Sequence, residues 1–162
     1  GNYARFFDLG NGAAKQNIFF SREGTGSNLL LSTRSPQYDI VASSAITNGV
    51  FQLFNYNQPG APVGQAVERT LGRSGRVLAT NNSTAVPINT TRNLNYIGKS
   101  NWPDPLFQGD IAEILIYNVG LTATQRQAIE DYLIGKYGLT AGRLPTNLTW
   151  TTLATGQLQD NV

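Results

Sequence analysis

Apolar residues along this chain fall in short runs separated by turn-forming residues. YARFFDL (3–9) runs into Gly10-Asn11-Gly12, NIFFSR (17–22) into GTGSN, and LLLST (29–33) precedes the loop signal Ser35-Pro36-Gln37. GVFQLFNY (49–56) alternates Val50, Gln52 and Phe54 against Phe51 and Leu53, then meets Asn57-Gln58-Pro59-Gly60. RVLAT (76–80) follows Gly75, and NLNYIGK (93–99) follows the polar stretch NNSTAVPINTT. Short runs punctuated in this way predict the strands of an antiparallel two-sheet sandwich or jelly roll.

FQGDIAEILIYN (107–118) is the strongest strand signal. Two-residue alternation places Ile111, Glu113 and Leu115 on one face and Asp110, Ala112, Ile114 and Ile116 on the other. Apolar residues on both faces predict a strand covered on both sides. The period then changes. Thr122-Ala123-Thr124-Gln125 fits a capping box, and Ala128, Ile129, Tyr132, Leu133 and Lys136/Tyr137 recur at helical spacing. Gly138 is a C-terminal stop, so a helix over 123–137 is expected to lie against the sandwich. Beyond Thr140 the pattern fades. The chain divides into a domain over 1–139 and a linker or extension over 140–162, where Trp150 is the exception and reads as a groove-filling plug.

Composition sharpens the all-β reading. Only 14% of residues are charged, while Gly reaches 17 and Asn and Thr sixteen each, which suits strands joined by tight turns. The net charge of +2 sets twelve basic against ten acidic residues, and the basic ones are scattered along the chain without the clustering that nucleic acid requires. No apolar run approaches a membrane span. Cys is absent, which removes disulfides and thiolate metal sites. His is absent too, so hydroxyl or thiol nucleophiles activated by imidazole and His-ligated zinc are excluded. Catalysis would have to rest on carboxylates, Lys or Tyr.

Several segments taken together resemble the bacterial LamG-like, concanavalin A-like lectin/glucanase domains. They are FFDLGNGAAKQNIFFSREGTGSNLLLS, NLNYIGKSNW and FQGDIAEILIYNVGLTATQRQAIEDYLIGKYGL, spanning roughly residues 3 to 139. The resemblance implies a jelly roll of two antiparallel sheets with one C-terminal helix. It also implies a secreted or surface-displayed module that binds carbohydrate or mediates adhesion within a larger multidomain protein, with calcium in a subset. Such domains carry further strands ahead of the stretch matching YARFFDLGNG, so the domain over 1–139 is expected to be part of a longer protein that supplies its first strands. Without them one sheet has an open edge, and strand donation from a neighbouring molecule is the alternative.

Candidate chemistry concentrates in a few places. Asp110 and Glu113 are spaced i, i+3, which puts them on opposite faces of a strand, so they cannot act jointly on one glycosidic bond. No catalytic residue is therefore assigned, and Glu113 is expected to accept hydrogen bonds within the fold. Asn101-Trp102-Pro103-Asp104-Pro105 is the leading ligand candidate: the indole offers a face to a sugar ring, and Asn101 and Asp104 offer hydroxyl partners. The alternative is that Trp102 only caps the end of the sandwich. Asn11, and Tyr56 in what reads as a turn, complete the candidate carbohydrate-binding set. Asp8, with Asp104, is a candidate calcium ligand, or else an Asx-turn side chain closing its own loop. The expected function is a non-catalytic extracellular glycan-binding or adhesion module. Its rivals are an assembly domain without sugar binding and, further off, a glycosidase or polysaccharide lyase of the same fold.

Overall fold

The computed structural model describes residues 2–34, 37–60, 62, 65–83, 86–141, 150–152 and 158–160. Eight strands form two antiparallel sheets. β1 (Arg5–Gly10), β2 (Ile18–Arg22), β3 (Leu29–Thr33), β4 (Tyr38–Ala42) and β8 (Leu94–Ile97) make a five-stranded sheet in the order β4-β3-β2-β1-β8. β5 (Phe54–Asn57), β6 (Val67–Arg73) and β7 (Arg76–Ser83) make the second. Helix α1 (Ala123–Tyr137) follows, and β9 (Trp150–Thr152) pairs with β10 (Leu158–Asp160). The side chain of Trp150 lies outside the described residues.

The core sits between the two sheets, and period-two alternation builds it. Leu29 and Leu31 oppose Ala42 and Ile40, Phe20 opposes Leu31, and across the other sheet Tyr56, Leu71 and Ala79 align. These residues meet in one apolar cluster with Phe6, Phe7, Phe54 and Leu78 packed against it. Leu29, Leu31 and Leu71 are fully buried, and removal of each such side chain from water contributes about 1.5–3 kcal/mol.

Two strands escaped the sequence pattern. β4 reads YDIVA and β6 reads VERTLGR, whose polar letters hide that Arg69 is fully buried with its guanidinium over the Tyr38 ring at 3.9 Å. Tertiary contact decides both.

The helix is capped as its sequence predicts. The Thr122 hydroxyl accepts from the Gln125 N–H, and the Gln125 side chain accepts from the Thr122 N–H. Gly138 ends the helix with φ of 61°, and the Leu139 N–H reaches back to the Ile134 carbonyl at 2.9 Å. Its buried face differs from the expected stripe. Glu130 and Leu133 are buried, whereas Tyr132 and Ala128 face solvent, because Asn55 of β5 draws the Glu130 carboxylate inward at 2.6 Å.

The largest departure concerns residues 107–118. No strand forms there: the segment joins no ladder, and no helix, turn or bend occurs from Asp110 to Tyr117. Leu115, Ile116, Tyr117 and Val119 are exposed rather than covered on both sides. The physical reason is the lack of a hydrogen-bonding neighbour. Among the described residues only its entry is pinned, by the Phe107 N–H on the Gly98 carbonyl at 2.9 Å and by the Phe6 and Phe107 rings 5.1 Å apart. Similarly, β5 begins at Phe54 rather than Gly49, leaving Val50 and Phe51 in an exposed loop.

Candidate functional site

The outer face of the five-stranded sheet carries a polar cluster that gathers several of the sequence candidates. Arg5 and Asp8, three apart, would lie on opposite faces of a regular strand. A register shift between Arg5 and Phe7 places Arg5 opposite Ser21 while Asp8 pairs with Phe19, so both look outward. The bulge is what brings them together.

Asp8 is fully buried and saturated by local partners. Its carboxylate accepts from Asn17 Nδ2 at 2.8 Å and from the Asn101 N–H at 2.9 Å, with Arg5 Nε 3.9 Å away. Gly10 is required beside it, since a Cβ there would fall 2.2 Å from Asn17 Nδ2. Asp104 lies 3.2 Å from the other end of the same guanidinium and accepts from the Ser100 hydroxyl at 2.9 Å. The two candidate calcium ligands therefore share Arg5, the cation the fold itself supplies. Burial lowers the Arg5 pKa, while Asp104 and Asp8 oppose that shift. The arrangement holds the loop 100–104 onto the sheet by charge-assisted hydrogen bonds.

Trp102 completes this cluster. Its ring meets Phe19 edge-on with centroids 5.6 Å apart, and the Arg5 guanidinium lies 3.8 Å from the Phe19 centroid and 5.4 Å from that of Trp102. The indole is half-buried, so part of it reaches solvent while the rest seals the polar network beneath.

The other expected ligand residues are spent on structure. The Asn11 amide donates to Gln16 Oε1 and the Thr91 carbonyl and accepts from the Asn93 N–H, tying one turn to the approach of β8. Asn101 Nδ2 donates to the Leu94 carbonyl at 3.0 Å. Tyr56 stands on β5, not in a turn; its ring packs against the core and its hydroxyl donates to Gln58. Burial raises its phenol pKa far above the ordinary range.

Asp110 is exposed, and Glu113 is tied to the helix C-terminus. Lys136 Nζ at 3.1 Å and the Tyr137 hydroxyl at 3.0 Å both donate to Glu113 Oε2. These two bonds hold the Glu113 carboxyl below the usual carboxylate range, and Glu113 in turn raises Lys136.

A cleft absent from the sequence candidates lies beside the helix C-terminus. Val50, Phe51, Gln52, Arg73, Ser74, Tyr137 and the residues 138–141 line an open space of about 600 Å3. Phe51 is 60% exposed and Tyr137 37%, so two aromatic rings face a cavity that also carries an amide, a hydroxyl and a guanidinium. Arg73 is anchored on the Ala45 carbonyl at 2.7 Å, and Gln52 accepts from the Thr47 N–H at 2.8 Å. The signal available in sequence was Thr47-Asn48-Gly49, a turn at the start of an apparent strand; Gly49 has φ of 76°. Among the described residues, no group of three His, Cys, Asp or Glu side chains converges.

No family model, curated protein or solved structure matches this chain.

Proposed function

We propose that this protein is a non-catalytic carbohydrate-binding or adhesion module displayed outside the cell as part of a larger protein, in the manner of the concanavalin A-like jelly rolls that its sequence resembles. The observation that carries this reading is the open cleft with Phe51 and Tyr137 exposed on its walls and Gln52, Arg73 and Ser74 beside them. Sugars bind where an aromatic face covers the apolar side of the ring and a few fixed polar groups meet its hydroxyls. The Trp102 loop is the second candidate surface, with part of its indole sealing the Arg5 network.

A glycan array separates these surfaces. Native protein is expected to retain a defined set of glycans, Phe51→Ala to lose them, and Trp102→Ala to keep them with a lower melting temperature. Binding lost in Trp102→Ala alone, at unchanged stability, moves the site to the loop. An array with no hits counts against carbohydrate binding altogether. A catalytic reading finds little support in Glu113, whose carboxylate is held by Lys136 and Tyr137. Reducing-sugar release from β-glucans is expected to be nil.

A second reading, an assembly domain that binds no sugar, is favoured by the exposed and unladdered residues 110–117. Isolated exposed apolar residues are ordinary, but a contiguous run marks a contact surface.

A further inference from the structure

Residues 110–117 combine two features that are costly together in solvent. Apolar side chains are exposed along them, with Leu115 at 43%, Ile116 at 67% and Tyr117 at 47%, followed by Val119 at 64%. Their backbone also has no backbone hydrogen-bond partner among the described residues. The usual guards of a free strand are missing, since residues 107–119 contain neither Lys nor Pro. Glu113, the charge at the middle, is already neutralised by Lys136. Apolar surface continues past the Phe107–Gly98 hydrogen bond to Leu106 at 63% and to Ile97 of β8 at 68%.

We propose that this segment pairs antiparallel with the same segment of a second copy of the chain, across a two-fold axis normal to the new ladder at Ile114. Self-complementarity is what selects a second copy as the occupant. Such an axis keeps every residue on its own face, so opposed residues must be separated by an even number of positions. Centred on Ile114, Ala112 faces the partner's Ile116, Ile111 faces the partner's Tyr117, Glu113 faces the partner's Leu115 and Asp110 faces the partner's Asn118. No like charges are directly opposed; Ile114 meets its own copy, Ala112/Ile116 and Ile111/Tyr117 pair apolar with apolar, and Glu113, held by Lys136, is the polar residue set against Leu115. Eight residues span about 27 Å, enough for a ladder that satisfies the half of the N–H and C=O groups that point toward the partner. This inference stands independently of carbohydrate binding.

The test is sedimentation velocity of the whole chain across a concentration series, with hydrogen exchange read on the 111–117 amides. The expected result is a concentration-dependent dimer with those amides protected only in the dimer. Ile114→Pro removes a central ladder donor, and Ile116→Lys puts a charge opposite Ala112; each is expected to weaken dimerisation at least tenfold with circular dichroism unchanged. A chain that stays monomeric at high micromolar concentration overturns the proposal. So does a dimer equally strong in both variants. Amides 111–117 protected in a monomer also overturn it and assign the ladder to a strand within one chain. Glycan binding is read separately with Phe51→Ala, so failure here leaves that question intact.

Discussion

Strand β3 and residues 110–117 send the same message at the level of sequence, yet they end in different states. LLLST lies between β2 and β4, and every residue of it is buried. DIAEILIY has more aliphatic side chains, yet it joins no ladder and leaves Leu115, Ile116 and Tyr117 in water. The contrast teaches that apolar alternation makes a strand possible, while neighbours on both edges make it real. Every backbone N–H and C=O needs a partner, and a lone segment obtains them from water at no gain.

The contrast can be broken most sharply by truncating one residue on each side. Leu31→Ala is expected to cost about 2–5 kcal/mol in urea denaturation, because Leu31 is 1% exposed at the centre of the core. Ile116→Ala, measured dilute enough to keep the chain monomeric, is expected to fall within about 0.5 kcal/mol of the native protein. Comparable losses from both would mean that 110–117 is covered after all. A loss of about 3 kcal/mol is expected for Asp8→Ala, since it strips a buried carboxylate from Arg5, Asn17 and the Asn101 N–H while Asp104 still partners Arg5. Neutral melting temperature in that variant would show that the outer-face network is ornamental.

The smallest expected effect concerns the tether that steadies the free segment. Lys136 and Tyr137 lower the Glu113 pKa in the folded chain, so its contribution is complete above the unfolded value of about 4.3. It is lost as pH falls through the lowered folded value. An NMR titration is expected to show Glu113 ionising on the acid side of an ordinary glutamate, with Tyr137 ring signals moving in the same step. Glu113→Gln should abolish that step. A Glu113 carboxyl titrating at or above the ordinary value would detach the segment from the helix.

Local chemistry made much of the fold legible. The Thr122 and Gln125 capping box and the Gly138 stop are decided within a turn of the chain, so they were readable and the helix bounds follow. The runs around Phe7, Phe20 and Leu31 are strands because their neighbours in sequence are also their neighbours in the sheet. What failed to show was anything set by distant partners. Tyr56 reads as a turn residue until Leu71 is placed beside it, and VERTLGR gives no strand signal until Arg69 lies on Tyr38. Trp102 and Asp104 were visible as chemistry, but their engagement with Arg5 depends on a one-residue bulge that no alternation predicts. The Phe51 and Tyr137 cleft joins residues more than eighty positions apart, and nothing local announces it.

The sequence by itself determined the antiparallel β class, the single capped helix and the absence of imidazole and thiol chemistry, because these follow from residue types and short-range geometry. Only the tertiary structure decided which carboxylates are enclosed, which aromatic rings remain open, and that the most strand-like run in the chain stands without a ladder. Those outcomes depend on long-range pairing. A residue's own neighbours in sequence cannot supply its hydrogen-bond partners across a sheet.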